Sequence, residues 1–325
     1  MPKISVIMPT YNAETYVREA IESILNQTFA DFEFLILDGG SKDKTIEIIE
    51  SYNDDRIKIY KNCGTIPQSL NKGIKEATGE YIARMDADDI SLPNRLKKQL
   101  NVLQKNKDIA ILGTKAQILH NNHLIDNFFN AAFYNKKPKI FDIGIIDTLN
   151  TCVLCHPTVM FKKSLIYKHK LYYNENIKAS EDQELWCKAI LIVRICNLNE
   201  VLLQYRLHQN NASTVKKQGQ NTAYQIKKKL LNKLLPYNSS ILKNLAELET
   251  ETLKIKECIN QLGKHKTLDN QSKAPQKKFI FNFFSISLSM SCDFRCFLCD
   301  FFYRIGANFC RSPCRLQVEP SGDSV

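Results

Sequence analysis

The 325-residue chain lacks any run of about 18 uncharged apolar residues, which excludes a membrane-spanning helix. The nearest approach, Phe279 to Cys292, is 14 residues long and is interrupted by Asn282 and four serines. An export signal is not expected either: Pro2-Lys3-Ile4-Ser5-Val6-Ile7-Met8-Pro9 is too short an apolar run for one and reads as a strand. The eleven cysteines are therefore expected as reduced thiols in a cytosol, most of them small buried hydrophobes. Net charge is almost missing from the first two thirds, where residues 1–215 carry 27 Lys+Arg against 25 Asp+Glu. Residues 216–325 carry 18 against 9, so most of the +11 surplus belongs to the tail. A tail of that sign suits an anionic membrane or nucleic acid, or is a solvated helix face.

What is present reads as an ordinary globular composition, with 44% hydrophobic and 24% charged residues. That length holds one large α/β domain plus an appendage. Residues 3–114 alternate regularly. Lys3–Pro9, Phe32–Asp38, Ile57–Lys61, Tyr81–Asp86 and Ile109–Thr114 are apolar enough for interior strands. Between them Tyr16, Ala20, Ile21, Ile24 and Leu25 share a helical face, as do Ile46, Ile49 and Tyr52. Repeated β-α-β units predict a mostly parallel sheet with helices on both faces, and ligands outside the carboxyl ends of the strands. That rule gathers Pro9-Thr10-Tyr11-Asn12, Asp38-Gly39-Gly40-Ser41 and Asp86-Ala87-Asp88 at one rim.

From 115 to 215 the pattern loosens into short mixed elements, with an amphipathic helix expected at Asp182–Leu191. Gln225–Leu235 reads as a basic helix ended by Pro236. Beyond it Ile241, Leu245, Leu248, Thr252, Ile255, Ile259 and Leu262 step by four and three over three heptads. This seam at 241–262 either forms a homodimer or folds back on the basic helix, with folding back preferred. Residues 263–278 are a Lys-rich linker.

Asp86-Ala87-Asp88-Asp89 sets three carboxylates at a strand's C-terminal end, just before Pro93, which suits the first turn of a helix. Such charges repel one another unless a cation holds them, and hard oxygen ligands suit Mg²⁺ or Mn²⁺. An acidic turn in solvent is the alternative for an isolated motif. In the tail, Cys292-x3-Cys296-x2-Cys299, followed by Cys310 and Cys314, has a spacing that can hold Fe–S or zinc. Coincidence is the preferred reading there, with a small metal knuckle that docks a partner as the second. Cys152-x2-Cys155 reads as core.

Three runs of sequence carry a resemblance. They are Ile4-Ser5-Val6-Ile7-Met8-Pro9-Thr10-Tyr11-Asn12, Ala20-Ile21-Glu22-Ser23-Ile24-Leu25-Asn26-Gln27-Thr28 and Leu37-Asp38-Gly39-Gly40-Ser41-Lys42-Asp43. Together with Gly79 to Asp89, His156-Pro157, Ser180 to Trp186 and Tyr205-Arg206-Leu207-His208, they resemble a family 2 glycosyltransferase over residues 3–215. The resemblance implies the GT-A fold over 1–215, with a nucleotide-binding half (1–114) and an acceptor-binding half (115–215). A helical extension (216–262) and a basic, Cys- and Phe-rich tail (263–325) would follow.

It also implies roles. Tyr11 would stack on a nucleotide base over a loop shaped by Pro9 and Thr10, and Asp38 would accept a hydrogen bond from the base. Gly39 departs from relatives that carry a second aspartate. Asp86 would meet the ribose and the metal's shell, while Asp88 and His208 would hold Mn²⁺ or Mg²⁺. Arg206 would neutralise phosphate, and Asn71 with Gly73 would line the cleft, supported by His156. Asp182 would be the base for the acceptor hydroxyl. Glu181 would bind the acceptor or raise the Asp182 pKa by repulsion. Ser180 with Gln183 also matches a capping box.

The expected activity is inverting, metal-dependent transfer from a nucleotide-diphosphate donor, UDP-linked, to a hydroxyl in cell-surface polysaccharide or lipid-linked glycan. It would take place in the cytoplasm, with peripheral contact at the inner membrane face through the basic tail and with no nucleic acid partner. The alternative is a catalytically silent GT-A-like nucleotide- or glycan-binding module, to which Gly39 lends some support.

Overall fold

In a computed structural model the described residues are 1–128, 137–150, 154–209, 211, 222–223 and 225–230. All belong to one compact unit, Met1–Ala246. The heptad seam at 241–262, the linker, Cys152 and the tail cysteines lie outside the described residues.

The strands are β1 (Ile4–Thr10), β2 (Phe32–Asp38), β3 (Ile57–Tyr60), β4 (Tyr81–Arg84), β5 (Ile90–Ser91), β6 (Ile109–His120), β7 (His123–Phe128), β8 (Ile140–Asp142), β9 (Met160–Lys162) and β10 (Arg194–Leu207). The helices are α1 (Val17–Leu25), α2 (Thr45–Glu50), α3 (Ile66–Glu76), α4 (Arg95–Lys105), α5 (Ile145–Asn150), α6 (Lys163–His169) and α7 (Glu181–Ala189). One mixed sheet runs β3-β2-β1-β4-β9-β6-β10-β5, with β7 beside β6 and β8 beside β10. β1, β2, β3 and β4 pair in parallel, as do β6 and β10.

β1 explains why the sheet needs cover on both sides, since every one of its residues is buried. Ile4, Val6 and Met8 pack with Ala20, Ile21 and Ile24 of α1 and with Leu96 and Leu100 of α4. Ile7, on the other face, joins Leu70 and Ile74 of α3 and Leu185 and Trp186 of α7. A strand buried on both faces loses the polar alternation of a surface strand, which is how the sequence reads here.

The expected run of parallel strands is interrupted at one place. β6 does not lie beside β4: the three-residue β9 is inserted between them, antiparallel to both. β9 is too short to show a period of two, and its cover comes from distant elements. Four cysteines, Cys63, Cys155, Cys187 and Cys196, are free and buried, as expected for small apolar residues.

At the N-terminal edge of β2 the sheet is tied by a buried carboxylate. Glu33 accepts hydrogen bonds from Ser5 Oγ (2.6 Å), from the Thr78 amide and hydroxyl (both 2.7 Å), and from Lys58 Nζ (2.7 Å). Gly79 closes the same corner, because a Cβ there would stand 2.7 Å from the Ser5 nitrogen. Burial alone would raise the Glu33 pKa, but Lys58, Ser5 and Thr78 outweigh it and hold it down at about 2. Because the folded carboxylate is harder to protonate than the unfolded one, it stabilises the fold above pH 4.5. That contribution is lost as the pH falls toward 2. Glu33→Gln is expected to cost about 2 kcal/mol at pH 7 and little near pH 2. Urea unfolding at the two pH values measures this, and an equal loss at both would refute the linkage.

Candidate active site

The carboxyl ends of β1 and β2 are joined by their loops. The Gly39 amide donates to the Thr10 carbonyl (2.8 Å), Asn12 N to Ser41 Oγ (2.9 Å), and Lys42 N to Asn12 Oδ1 (2.9 Å). Asn12 takes the left-handed conformation that such a turn needs (φ 48°). Tyr11 is 62% exposed at this rim. The Thr10 hydroxyl is buried with no hydrogen-bond partner. Asp38 is buried and accepts hydrogen bonds from the Gly40 amide (2.8 Å), the Ser41 amide (3.0 Å) and Ser41 Oγ (2.5 Å). Its carboxylate therefore shapes the turn at the rim where the base contact is expected. A Cβ at Gly39 would lie 2.7 Å from the Gly64 carbonyl and 3.5 Å from the Tyr11 ring. The missing aspartate thus has a steric cause, the close approach of the loop after β3.

After β4, ligand atoms of Asp86, Asp88 and Asp89 lie within 4.8 Å of one another. Arg84, buried in β4, pairs with Asp86 at 2.5 Å. Asp88 Oδ2 meets His208 Nε2 at 2.9 Å and accepts from Asn211 Nδ2 at 3.2 Å. Asp89 accepts the Arg206 amide (2.8 Å), and its other oxygen is buried without a partner. Burial lifts the Asp86 pKa to about 6, against the pull of Arg84 and with repulsion from Asp88 and Asp182. Asp89 is raised well above the usual range by burial, then by Asp88 and Asp86. This loop concentrates negative charge that its own cations only partly offset.

α7 opens on Glu181 and Asp182, where carboxylates suit the positive end of the helix. Asp182 also accepts the Gln183 amide at 2.7 Å. It lies near enough to Asp86 and to Tyr173 to raise both of their pKa values. Trp186, fully buried, fixes the helix by stacking on Phe161 and meeting His156 edge-on. The expected capping box is not formed. Ser180 is left-handed (φ 62°) with no side-chain cap, and Gln183 turns away to the Thr148 carbonyl (3.0 Å). The box is found instead on α3, between Thr65 and Gln68.

Three further residues expected at the cleft are buried or face the core. Asn71 is buried, donating to the Tyr173 carbonyl (2.9 Å) and Glu175 (2.8 Å) and accepting from the Tyr173 amide (2.9 Å), so it ties two segments together. Gly73 faces Ile7 and Leu37 in the core. Arg206 is 2% exposed, and its guanidinium donates to the Asp88 carbonyl, Asn122 and Glu19. His156 is buried against Tyr173 OH (2.8 Å) and is held neutral by burial and by Arg84. Sequence reading missed Arg84, Tyr173 and Asn211 as neighbours of the site. A signal for Arg84 existed in the one cation inside the apolar run Tyr81–Met85.

Asp88 and His208 thus touch, Asp86 joins them, and Asp182 approaches from α7. Residues 5–169 match the model of glycosyl transferase family 2. The chain is 35% identical over 236 residues to an uncharacterized glycosyltransferase of Haemophilus influenzae, covering 70% of this chain and 72% of that one. It is 37% identical over 223 residues to the O-antigen biosynthesis glycosyltransferase WbnJ of Escherichia coli, covering 66% of this chain and 82% of that one. Its fold resembles the crystal structure of S. aureus TarS 1-349 in complex with UDP-GlcNAc, with a TM-score of 0.60 and 24% identity. That likeness covers 72% of this chain and 66% of the other.

Proposed function

The chain belongs to glycosyl transferase family 2 and has the GT-A fold, and on that footing we propose that this glycosyltransferase moves a sugar from a UDP-linked donor to a glycan hydroxyl with inversion. The observation that carries the reading is the cluster of Asp86, Asp88 and Asp89 after β4, in which Asp88 touches His208, with Asp182 at the N-terminus of α7 near enough to raise the Asp86 pKa. The donor's base would stack on exposed Tyr11, with Pro9 and Thr10 forming the loop and the Thr10 hydroxyl as a polar contact. Asp86 would meet the ribose and the ion's shell.

Three clustered carboxylates, one with a buried oxygen lacking a partner, make a hard oxygen donor set that fits a divalent cation. Asp88 and His208 would hold Mn²⁺ or Mg²⁺. When bound, the ion supplies positive charge to the diphosphate leaving group. Asp182 takes the proton of the acceptor hydroxyl as its oxygen attacks the anomeric carbon. The bond to the diphosphate breaks, and its electron pair leaves with the nucleotide. Direct displacement by the acceptor oxygen, with Asp182 as the one base, gives the inversion that the family resemblance implies. Glu181 would hold the acceptor beside the base.

The acceptor we propose is a cell-surface polysaccharide or lipid-linked glycan, a reading supported by the O-antigen role in the name of the Escherichia coli relative. Among the described residues no helix is long and apolar enough to cross a membrane. Exposed Lys228 and Lys229, on the short helix that buries Ile226 and Leu230 against Cys187, support peripheral contact with an anionic membrane face on the cytoplasmic side. A division into halves at 114 and 115, with the transferase domain closing at 215, is the organisation we propose.

Thermal shift with a panel of nucleotide sugars, with and without Mn²⁺, tests the reading. A UDP-sugar at about a hundred times its Kd should raise Tm by several degrees, and only with the ion present. Equal shifts without the ion would remove the metal from the proposal, and no shift with any nucleotide sugar would remove the donor.

A further inference from the structure

Arg206 sits where four separate segments meet. Its amide donates to Asp89 Oδ1 (2.8 Å) and its Nε to the Asp88 carbonyl (2.8 Å), so it holds both the backbone and a side chain of the aspartate loop. One terminal nitrogen donates to Asn122 Oδ1 (2.7 Å), at the tip of the β6–β7 hairpin. The other donates to Glu19 Oε2 (2.6 Å) on α1. The guanidinium carbon lies 4.7 Å from the centre of the Tyr16 ring, and that ring's other neighbour is His208, at 4.8 Å. Two residues along β10's end, His208 reaches Asp88 itself. Asn211 closes the circuit by donating to the Arg206 carbonyl (3.0 Å) and to Asp88 (3.2 Å).

A guanidinium is a rigid planar fork, so each acceptor fixes the direction of the others. We infer that Arg206 is a positioning residue: it locks the Asp88-Asp89 backbone to α1 and the β6–β7 hairpin, so that Asp88 and His208 are presented to one ion at a set separation. Glu19 and Asn122, both exposed, become parts of the ion site through it. The inference rests on the reading of Asp88 and His208 as ion ligands.

The test uses Glu19→Gln, Asn122→Gly and Arg206→Lys in the full chain. Glycine at 122 tolerates the left-handed backbone there (φ 61°) while removing the acceptor. Lysine at 206 keeps the charge and loses the fork. Mn²⁺ affinity without nucleotide is measured by the electron paramagnetic resonance of free Mn²⁺. Values of kcat and KM for a UDP-sugar are taken at saturating Mn²⁺.

Glu19→Gln and Asn122→Gly should each weaken Mn²⁺ binding about three- to tenfold and lower kcat by a similar factor, with donor KM unchanged, and Arg206→Lys should go further in the same direction. Wild-type Mn²⁺ affinity and kcat in both Glu19→Gln and Asn122→Gly would overturn the inference, and these two decide the matter if Arg206→Lys does not fold. It is equally overturned if Arg206→Lys alone weakens metal-free UDP binding tenfold, since the guanidinium would then be touching diphosphate. If the wild-type protein binds no Mn²⁺, the reading of the ion site fails, and kcat against KM still decides whether Arg206 positions the loop.

Discussion

Asp182→Asn should bind a UDP-sugar within about twofold of the wild-type protein and transfer it about 10²- to 10⁴-fold more slowly. The substitution is matched to the local structure. An amide oxygen can still accept the Gln183 N–H that Asp182 accepts now, so the first turn of α7 keeps that contact. What is lost is the ability to take a proton. Trp186, Phe161 and His156 hold the helix from the far side and are untouched. The change should therefore appear in kcat, with circular dichroism and donor affinity unaltered. Isothermal titration with the donor and a radiometric transfer assay give the two numbers. Normal transfer by Asp182→Asn would assign the base elsewhere.

The second large effect is expected at Asp88. Asp88→Ala removes the carboxylate that meets both His208 and Asn211, and Mn²⁺-dependent UDP binding should fall by more than about a hundredfold, beyond the usual cost of losing an outer partner. The pH profile adds an independent check. In the wild-type protein Asp86 titrates near 6, because burial disfavours its charge and Asp88 and Asp182 repel it, against the pull of Arg84. Its folded pKa lies above the unfolded value, so it stabilises the metal-free protein at low pH, and that contribution is lost as the pH rises through 6. A divalent cation binds the ionised form. Mn²⁺ should thus raise Tm more at pH 7.5 than at pH 5 in the wild-type protein, and at neither pH in Asp88→Ala. An Asp88→Ala protein that keeps the wild-type response to Mn²⁺ would sink the assignment of this ligand.

Several of these positions were legible in the sequence for a simple reason. β1, β2 and the aspartate loop are contiguous, and their function follows from chain direction: polar residues at the carboxyl ends of parallel strands share a rim. Asp88 and His208 are 120 residues apart, and only resemblance to a family brought them together before the structure did. Arg206 illustrates the opposite limit. The family motif Tyr205-Arg206-x-His208 suggests phosphate, while the partners Glu19 and Asn122 come from elements far apart in the chain. Asn71 and Asp38 show the same limit. Their side-chain types suit ligand binding, and the hydrogen bonds they also make within the fold involve residues the sequence pattern does not point to. β9 escaped notice because three residues carry no periodicity.

The near contact between Gly39 and the Gly64 carbonyl has a consequence for redesign. Any graft meant to place an acidic side chain at Gly39 must bring a new backbone path for residues 62–64 with it, since the two loops occupy one another's space. Gly64 is itself left-handed, at φ +79°, and a Cβ there would strike Gln68. The two turns are consequently interlocked, exchangeable as a pair and resistant to change one residue at a time.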